Sequence, residues 1–236
     1  MIAIISDIHG NLPALNKVMS HIKKENVRKI ISLGDVAGYY PFINEVIELL
    51  IKHDVINIVG NHDRYLIDNT ECPRSHTANI CLKYQKKVID KNNLNWLKMS
   101  VSKYESNIIS CVHGGWNNLE DEYLYTISGE YFQDLPQNYF FCGHTHVQKS
   151  ILLKKNKTFV NPGSIGQPRD GNRDAAYCLF DECSGEISLF RVPYDISEVE
   201  HKMKVLGFEE KLYENLYSGS RIGGKTDSIE YIEKCL

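Results

Sequence analysis

The chain has 236 residues, a length that fits one large α/β domain or two small ones. Its 42% hydrophobic and 10% aromatic content allow a sizeable core, and a formal net charge of −3 argues against a broadly basic, nucleic-acid-coating surface. A nuclease is not excluded on that ground, because a metal site supplies positive charge locally. No apolar stretch approaches the roughly 18 residues of a membrane span. Met1–Ile5 is too short for a signal-peptide core and has no basic segment before it. The seven cysteines are odd in number, scattered and without a CxxC pair, which reads as reduced thiols of a cytoplasmic protein.

In chain order, Ile2–Ile5 predicts a buried strand running into Asp7 and His9, and Leu12 to Lys24 carries apolar residues at helical spacing. Lys29 to Leu33 predicts a second strand, running into Gly34-Asp35; Asn44 to Ile51 predicts a second helix. Val55 to Val59 is a third strand, running into Gly60-Asn61-His62-Asp63. This βαβαβ order implies parallel strands with crossover helices. Residues 63–96 hold helix-like material broken at Cys72-Pro73 and read as a flap over a site.

Beyond them, Val101 to Tyr104 pairs as a hairpin with Asn107 to Val112, which leads to His113-Gly114. Tyr139 to Cys142 is a strand ending at Gly143-His144-Thr145-His146. Two further hairpins join Ser150–Leu153 to Thr158–Val160, and Ala175–Phe180 to Glu186–Arg191 through Cys183-Ser184-Gly185. These hairpins predict a second, more antiparallel sheet packed face to face on the first. After Tyr194 the chain reads as helical, with Ser197 and Glu200 as a capping box, Val199, Met203 and Leu206 on one face, and Gly207 as the stop. The fold class is therefore α/β: two packed mixed β-sheets sandwiched by helices, with residues 1–194 as the domain and 195–236 as a helical C-terminal extension packed on it.

Each predicted strand end is followed at once by a metal-type side chain. In open α/β sheets ligands sit beyond the carboxyl ends of strands, so these clusters can converge although they span most of the chain. Asp7 with His9, and His144 with His146, are one residue apart; in an extended segment each pair points to one side, about 7 Å apart. Carboxylate and imidazole without thiolate suit Mn²⁺, Fe or Zn²⁺. Cys111 and Cys142 belong to the apolar runs of their strands and read as core. Singly, a His is a surface or core residue, and an Asp after Gly is a turn. Jointly, five of the nine histidines fall at strand ends beside two Asp and an Asn, while His21, His53, His76 and His201 lie in polar or helical stretches.

The series Asp7-x-His9, Gly34-Asp35-x-x-Gly38, Gly60-Asn61-His62-Asp63, His113-Gly114 and Gly143-His144-x-His146 resembles the calcineurin-like metallophosphoesterase family over roughly residues 1–192. Ser6–Asn11, Gly34–Pro41 and Asn161–Asp170 resemble its compact bacterial and archaeal phosphodiesterase-like subgroup. The resemblance implies an α/β/β/α sandwich and two divalent ions, Mn or Fe foremost, with Zn, Ni or Mg also suited. It assigns the first ion to Asp7, His9, Asp35 and His146, and the second to Asp35, Asn61, His113 and His144, with Asp35 bridging both. Hydroxide activated by the ions would attack phosphorus in line, His62 would stabilise or protonate the leaving oxygen, and Asp63 would orient the His62 ring. A histidine rather than a cysteine at position 62 leaves monoesters open beside diesters.

Arg169 and Arg173, in a loop near the site, are candidate contacts to a substrate phosphate. The implied partner is a small phosphate ester or nucleotide-type substrate; there is no membrane partner and no strong nucleic-acid signal, and the oligomeric state is not fixed by the sequence. A protein phosphatase, a dinucleoside polyphosphate hydrolase and a non-catalytic scaffold of the same fold are the competing readings. Gly219–Thr226 has the spacing of a phosphate-binding P-loop but follows helical Leu212–Leu216 instead of a strand, and reads as a glycine-rich break.

Overall fold

The computed structural model describes residues 1–233. Cys235, one of the cysteines expected to be reduced, and the last residues of the expected C-terminal extension lie outside the described residues. The first part of the chain forms β1 (Ile2–Ile5), α1 (Leu12–Ile22), β2 (Lys29–Ser32), α2 (Ile43–Lys52) and β3 (Ile56–Asn57). Three helices follow, α3 (Asn61–Ile67), α4 (His76–Val88) and α5 (Lys91–Lys98), over the stretch read as a flap. Next come β4 (Tyr104–Glu105), β5 (Ile109–Cys111), β6 (Thr126–Ile127), β7 (Tyr139–Phe141), β8 (Gln148–Leu152) and β9 (Thr158–Pro162). The chain continues through β10 (Ala175–Phe180), β11 (Ile187–Val192), α6 (Ile196–Val205) and β12 (Glu230–Tyr231).

Two five-stranded mixed sheets result, ordered β11-β10-β1-β2-β3 and β4-β5-β7-β9-β8. β1, β2 and β3 are parallel, as the βαβαβ reading requires. Two expectations need correction. The β10–β11 hairpin does not join the second sheet; β10 pairs antiparallel with β1 and extends the first. All six β10 residues are buried, so both its faces need cover, and a place between two strands of the first sheet provides it. Nor is the second sheet the more antiparallel one: β5, β7 and β9 are parallel and only its edges β4 and β8 run the other way. Val101 leaves the predicted hairpin and bridges Ile58 in parallel.

Alternation along the strands divides the interior. On β1, Ile2 and Ile4 point between the sheets while Ala3 and Ile5 point to the helices. The inter-sheet core adds Ile31, Leu33, Phe141, Val160 and Phe180; each such fully buried side chain contributes about 1.5–3 kcal/mol of transfer free energy. The helix-side core receives Leu15, Val18, Val46, Ile47 and Leu50 from α1 and α2. On the outside of the second sheet, Phe140, Cys142 and Phe159 are covered by Phe132 on a 3₁₀ turn (Glu130–Phe132) and by Ile127 and Ile229 of a small parallel β6–β12 ribbon.

Side-chain caps fix the starts of α1 and α6. Asn11 caps α1 by accepting the Ala14 N–H at 3.2 Å. Asp195, not Ser197, caps α6 by accepting the Ser197 N–H at 2.9 Å; Glu200 instead takes Lys204 and the Tyr217 hydroxyl. Gly207, at φ 78°, ends this helix as expected. Beyond it the extension makes 3₁₀ turns (Glu210–Leu212, Glu214–Tyr217), runs back along the 169–171 loop, with Gly171 N–H on Gly219 O at 2.9 Å and Asp227 N–H on Arg169 O at 2.7 Å, and reaches β12 beside β6. No helix among the described residues is long and apolar enough to cross a membrane.

Candidate metal centre

All seven candidate ligands lie just beyond strand ends: Asp7 and His9 in the loop after β1, Asp35 after β2, His113 after β5, and His144 and His146 after β7, while Asn61 opens α3 shortly after β3. The extended geometry expected for the two close pairs does not hold. Asp7, His9, Asp35, His144 and His146 all adopt left-handed backbone conformations, with φ of 52°, 51°, 53°, 65° and 59°. Such conformations cost a non-glycine residue about 1–2 kcal/mol each and persist only where the surroundings impose them. Here the β1 and β2 loops lock each other: Asp7 N–H donates to Gly34 O at 3.0 Å, His9 N–H to Asp35 O at 2.9 Å, and Gly10 N–H to Val36 O at 2.9 Å. Gly38 (φ 141°) lies against the His9 ring, where a Cβ would stand 2.1 Å from Nδ1.

The donor atoms form two buried groups. One atom each from Asp7, His9, Asp35 and His146 lies within 4.8 Å of the others, and so do atoms of Asp35, His113 and His144. His9 Nε2 is 3.1 Å from His146 Nε2, and His113 Nε2 is 3.1 Å from both His144 Nδ1 and Asn61 Oδ1. The opposite ring nitrogens are committed: Nδ1 of His9, His113 and His146 faces the carbonyls of Ala37, Leu33 and Gln167 at 2.7, 2.9 and 2.6 Å. A donated Nδ1–H fixes the tautomer and leaves an Nε2 lone pair aimed inward.

Lone pairs facing one another at that distance need a cation between them. Ligand nitrogens at metal bonds of about 2.0–2.1 Å fall about 2.9–3.4 Å apart on one ion, which matches these contacts. Asp7 Oδ1 has no hydrogen-bond partner among the described residues and stands 3.2 Å from His146 Nε2. The donor set fits two divalent cations. Asp35 joins the groups through one oxygen: Oδ2 stands 3.7 Å from His9 Nε2 and 3.5 Å from His113 Nε2, while Oδ1 accepts the His62 N–H at 2.8 Å.

Burial holds His9, His144 and His146 well below the ordinary imidazole pKa, so they present neutral, ligating rings. Burial acts the same way on His113, but the Asp35 carboxylate overrides it and carries the group up to about 10. Against its own burial, Asp35 is held well below the carboxylate range by the imidazoles of His113 and His62.

His62 lies beside this group, its ring centroid 4.9 Å from His9 and 5.1 Å from Tyr39. The expected orientation of its ring by Asp63 is not found. Asp63 turns away and accepts the backbone N–H groups of Ala37 at 2.8 Å and Gly60 at 3.0 Å, and His62 Nδ1 has no partner among the described residues. Asp63 therefore ties the β2 and β3 loops together, and burial together with the nearby Asp35 charge raises its carboxyl to about 7.

Asn61 and His62 open onto a cavity of about 400 Å³. Arg169 lines it, as the loop reading suggested; Arg173 does not, and is exposed outside it. Two further arginines line the cavity that no sequence signal singled out, Arg74 after the Cys72-Pro73 break and Arg221 within the glycine-rich segment set aside as a false P-loop. The Tyr123 ring lies against that of the candidate ligand His144, with centroids 3.8 Å apart and planes tilted by 35°, and also lines the cavity.

A buried carboxylate–imidazole centre at the strand ends of a two-sheet sandwich defines the class of metal-dependent phosphoesterases. Residues 1–185 match the model of the calcineurin-like phosphoesterase superfamily domain, and the chain belongs to that family. An uncharacterized protein of Methanocaldococcus jannaschii, MJ0912, is 36% identical to it, with 93% of this chain and 98% of that protein covered. The crystal structure of a metallophosphoesterase from Sphaerobacter thermophilus superposes with a TM-score of 0.79 at 27% identity, covering 92% of this chain and 98% of that one. Hypothetical protein PH1004 from Pyrococcus horikoshii shares the fold, with a TM-score of 0.80 at 22% identity over 93% and 99% of the two chains.

Proposed function

We propose that the protein hydrolyses phosphate esters at a two-metal centre, with diesters as its main substrates and monoesters within reach. The observation that carries this reading is the convergence of seven buried N and O donors into two groups sharing Asp35 Oδ2. In it Asp7, His9, Asp35 and His146 hold one ion, Asp35, Asn61, His113 and His144 the other, with manganese or iron favoured by the O/N donor set. When bound, two such ions supply Lewis acidity to a phosphate and acidify a water at neutral pH.

The chain's own residues supply the rest. His62 borders the cavity beside both groups, where it stabilises or protonates a leaving oxygen. Its backbone N–H, donated to Asp35 Oδ1, holds the shared carboxylate in orientation. Asp63 acts through position, by fixing the Ala37 and Gly60 backbone on either side of Asp35. Five buried free thiols, Cys72, Cys81, Cys111, Cys142 and Cys178, suit a reducing, cytoplasmic setting.

The test is hydrolysis of bis-p-nitrophenyl phosphate and p-nitrophenyl phosphate by chelator-stripped protein with Mn²⁺ restored. Turnover is expected only with metal, and His62→Ala is expected to lower kcat by about 100-fold or more, the usual size of an acid–base contribution. Absence of turnover by folded protein with any of Mn²⁺, Fe²⁺, Zn²⁺, Ni²⁺ or Mg²⁺ would refute the reading.

A further inference from the structure

The arginines around the cavity are not equivalent. Arg74 is paired with Asp121, and Arg221 with Asp227 through Nε at 2.5 Å. Arg169 is the most buried of the three, at 5% exposure, yet it takes part in none of the ion pairs among the described residues. Its Nε and Nη2 donate to Gln167 Oε1 at 3.1 and 2.8 Å, and Nη2 also reaches the Tyr39 hydroxyl at 3.3 Å. Both acceptors are neutral. Nη1 makes no hydrogen bond among the described residues and is not one of the sealed, unsatisfied atoms, so its two N–H groups open on the cavity.

Asp7 acts on this charge from a distance and not as an ion pair, so an anion entering the cavity meets a buried cation that no contacting carboxylate neutralises. The fork is also held rigidly, because Gln167 and Tyr39 fix it from one side and the loop carbonyl of Arg169 is pinned by the Asp227 N–H. A fixed guanidinium fork offering two free donors matches the oxygens of a phosphoryl group. No hydrogen bond or ion pair joins this guanidinium to any of the seven candidate ligand side chains among the described residues, and of those seven only Asn61 lines the cavity that Arg169 faces. Arg221 adds positive charge to the same cavity and is held there by Asp227 and the Tyr125 hydroxyl.

Resting on the phosphoesterase reading, we propose that the substrate carries a second phosphoryl group beyond the one hydrolysed, and that Arg169 is its receptor, with Arg221 supporting it from the C-terminal segment. The glycine-rich stretch thereby takes part in phosphate binding through an arginine side chain, not as a P-loop. A compound with only the scissile phosphate leaves the Arg169 charge without a partner and binds more weakly.

Adenosine 5′-monophosphate, adenosine diphosphate and adenosine 3′,5′-bisphosphate test this, since they present one phosphate and two phosphates at two spacings. Their affinities for manganese-loaded protein are measured by calorimetry and by inhibition of bis-p-nitrophenyl phosphate hydrolysis. At least one of the two-phosphate compounds is expected to bind about tenfold or more tighter than the monophosphate, the size of a charge-assisted bidentate contact. Arg169→Gln is expected to remove most of that advantage, and Arg169→Lys to restore part of it.

No advantage for either two-phosphate compound in the wild-type protein would overturn the proposal without needing any variant. Equal loss for one- and two-phosphate compounds in Arg169→Gln would overturn it as well, by placing Arg169 on the scissile phosphate. In both cases wild-type bis-p-nitrophenyl phosphate turnover persists and the phosphoesterase reading stands. Loss of metal-dependent turnover together with all nucleotide binding would remove that reading, and the second-phosphate site with it.

Discussion

Asp35 Oδ2 stands between two groups of imidazole nitrogens while Oδ1 is tied to a helix N-terminus, so small displacements of this carboxylate act on both groups at once. Gly60 exposes that sensitivity. Its backbone is ordinary, at φ −98° and ψ 172°, yet a Cβ there would stand 2.2 Å from Asp35 Oδ1 and 2.4 Å from Asp35 N. Gly60→Ala is therefore expected to displace the carboxylate without backbone strain. Stability should fall by about 1–3 kcal/mol, typical of overpacking, and metal affinity by at least about tenfold. Calorimetric titration of the variant with Mn²⁺ checks this, and wild-type affinity would count against the shared-oxygen geometry. At this scale the sequence was informative about which side chains gather at the site, because Asp, Asn and His immediately after apolar runs are easy to see. It did not fix their left-handed backbone, since Asp and His adopt φ near 50–65° more readily than most residues but do not require it. It was silent about Arg74 and Arg221, whose places depend on how two loops fold back toward the cavity.

The elements carry the loops, and α1 shows how. Its cap residue Asn11 accepts the Ala14 N–H and also donates through Nδ2 to Gly166 O at 2.9 Å and to the Tyr194 hydroxyl at 3.1 Å. One side chain thus fixes the start of a helix two residues after His9 and clamps the 164–167 loop on which His146 Nδ1 rests. Asn11→Ala is expected to cost about 2 kcal/mol, combining a lost cap with a buried carbonyl left unpaired. Urea unfolding should show a lower midpoint at unchanged slope; a loss below about 0.5 kcal/mol would mean that the Gly166 contact contributes nothing. The helices α1 and α2 were legible from their apolar spacing to within a residue or two of their ends. The β10–β11 hairpin was legible as a hairpin but not as part of the first sheet, because pairing with β1 is a contact across more than 170 residues that local patterning does not encode. The cap of α6 was misread for a local reason: Asp195 and Ser197 are both good cap residues, and Glu200 is drawn instead to Lys204 and Tyr217.

Across the whole molecule, two sheets sharing an apolar interface bring the ends of β1, β2, β3, β5 and β7 to one edge, and seven side chains spread from position 7 to position 146 meet there. The parallel order of β1–β2–β3 and the repeated strand-then-ligand pattern made that convergence readable in advance. The path of residues 208–233 was not readable, because a segment of short turns held by backbone hydrogen bonds has no periodicity to detect. The central claim is that this convergence holds two metal ions through a common carboxylate. Metal content of the manganese-reconstituted, gel-filtered chain, measured beside Asp35→Asn and His113→Ala, tests it most directly. Two ions per wild-type chain are expected, with one retained in His113→Ala and neither held tightly in Asp35→Asn. A wild-type chain that retains no more than one ion, or an Asp35→Asn chain that still holds two, would contradict it.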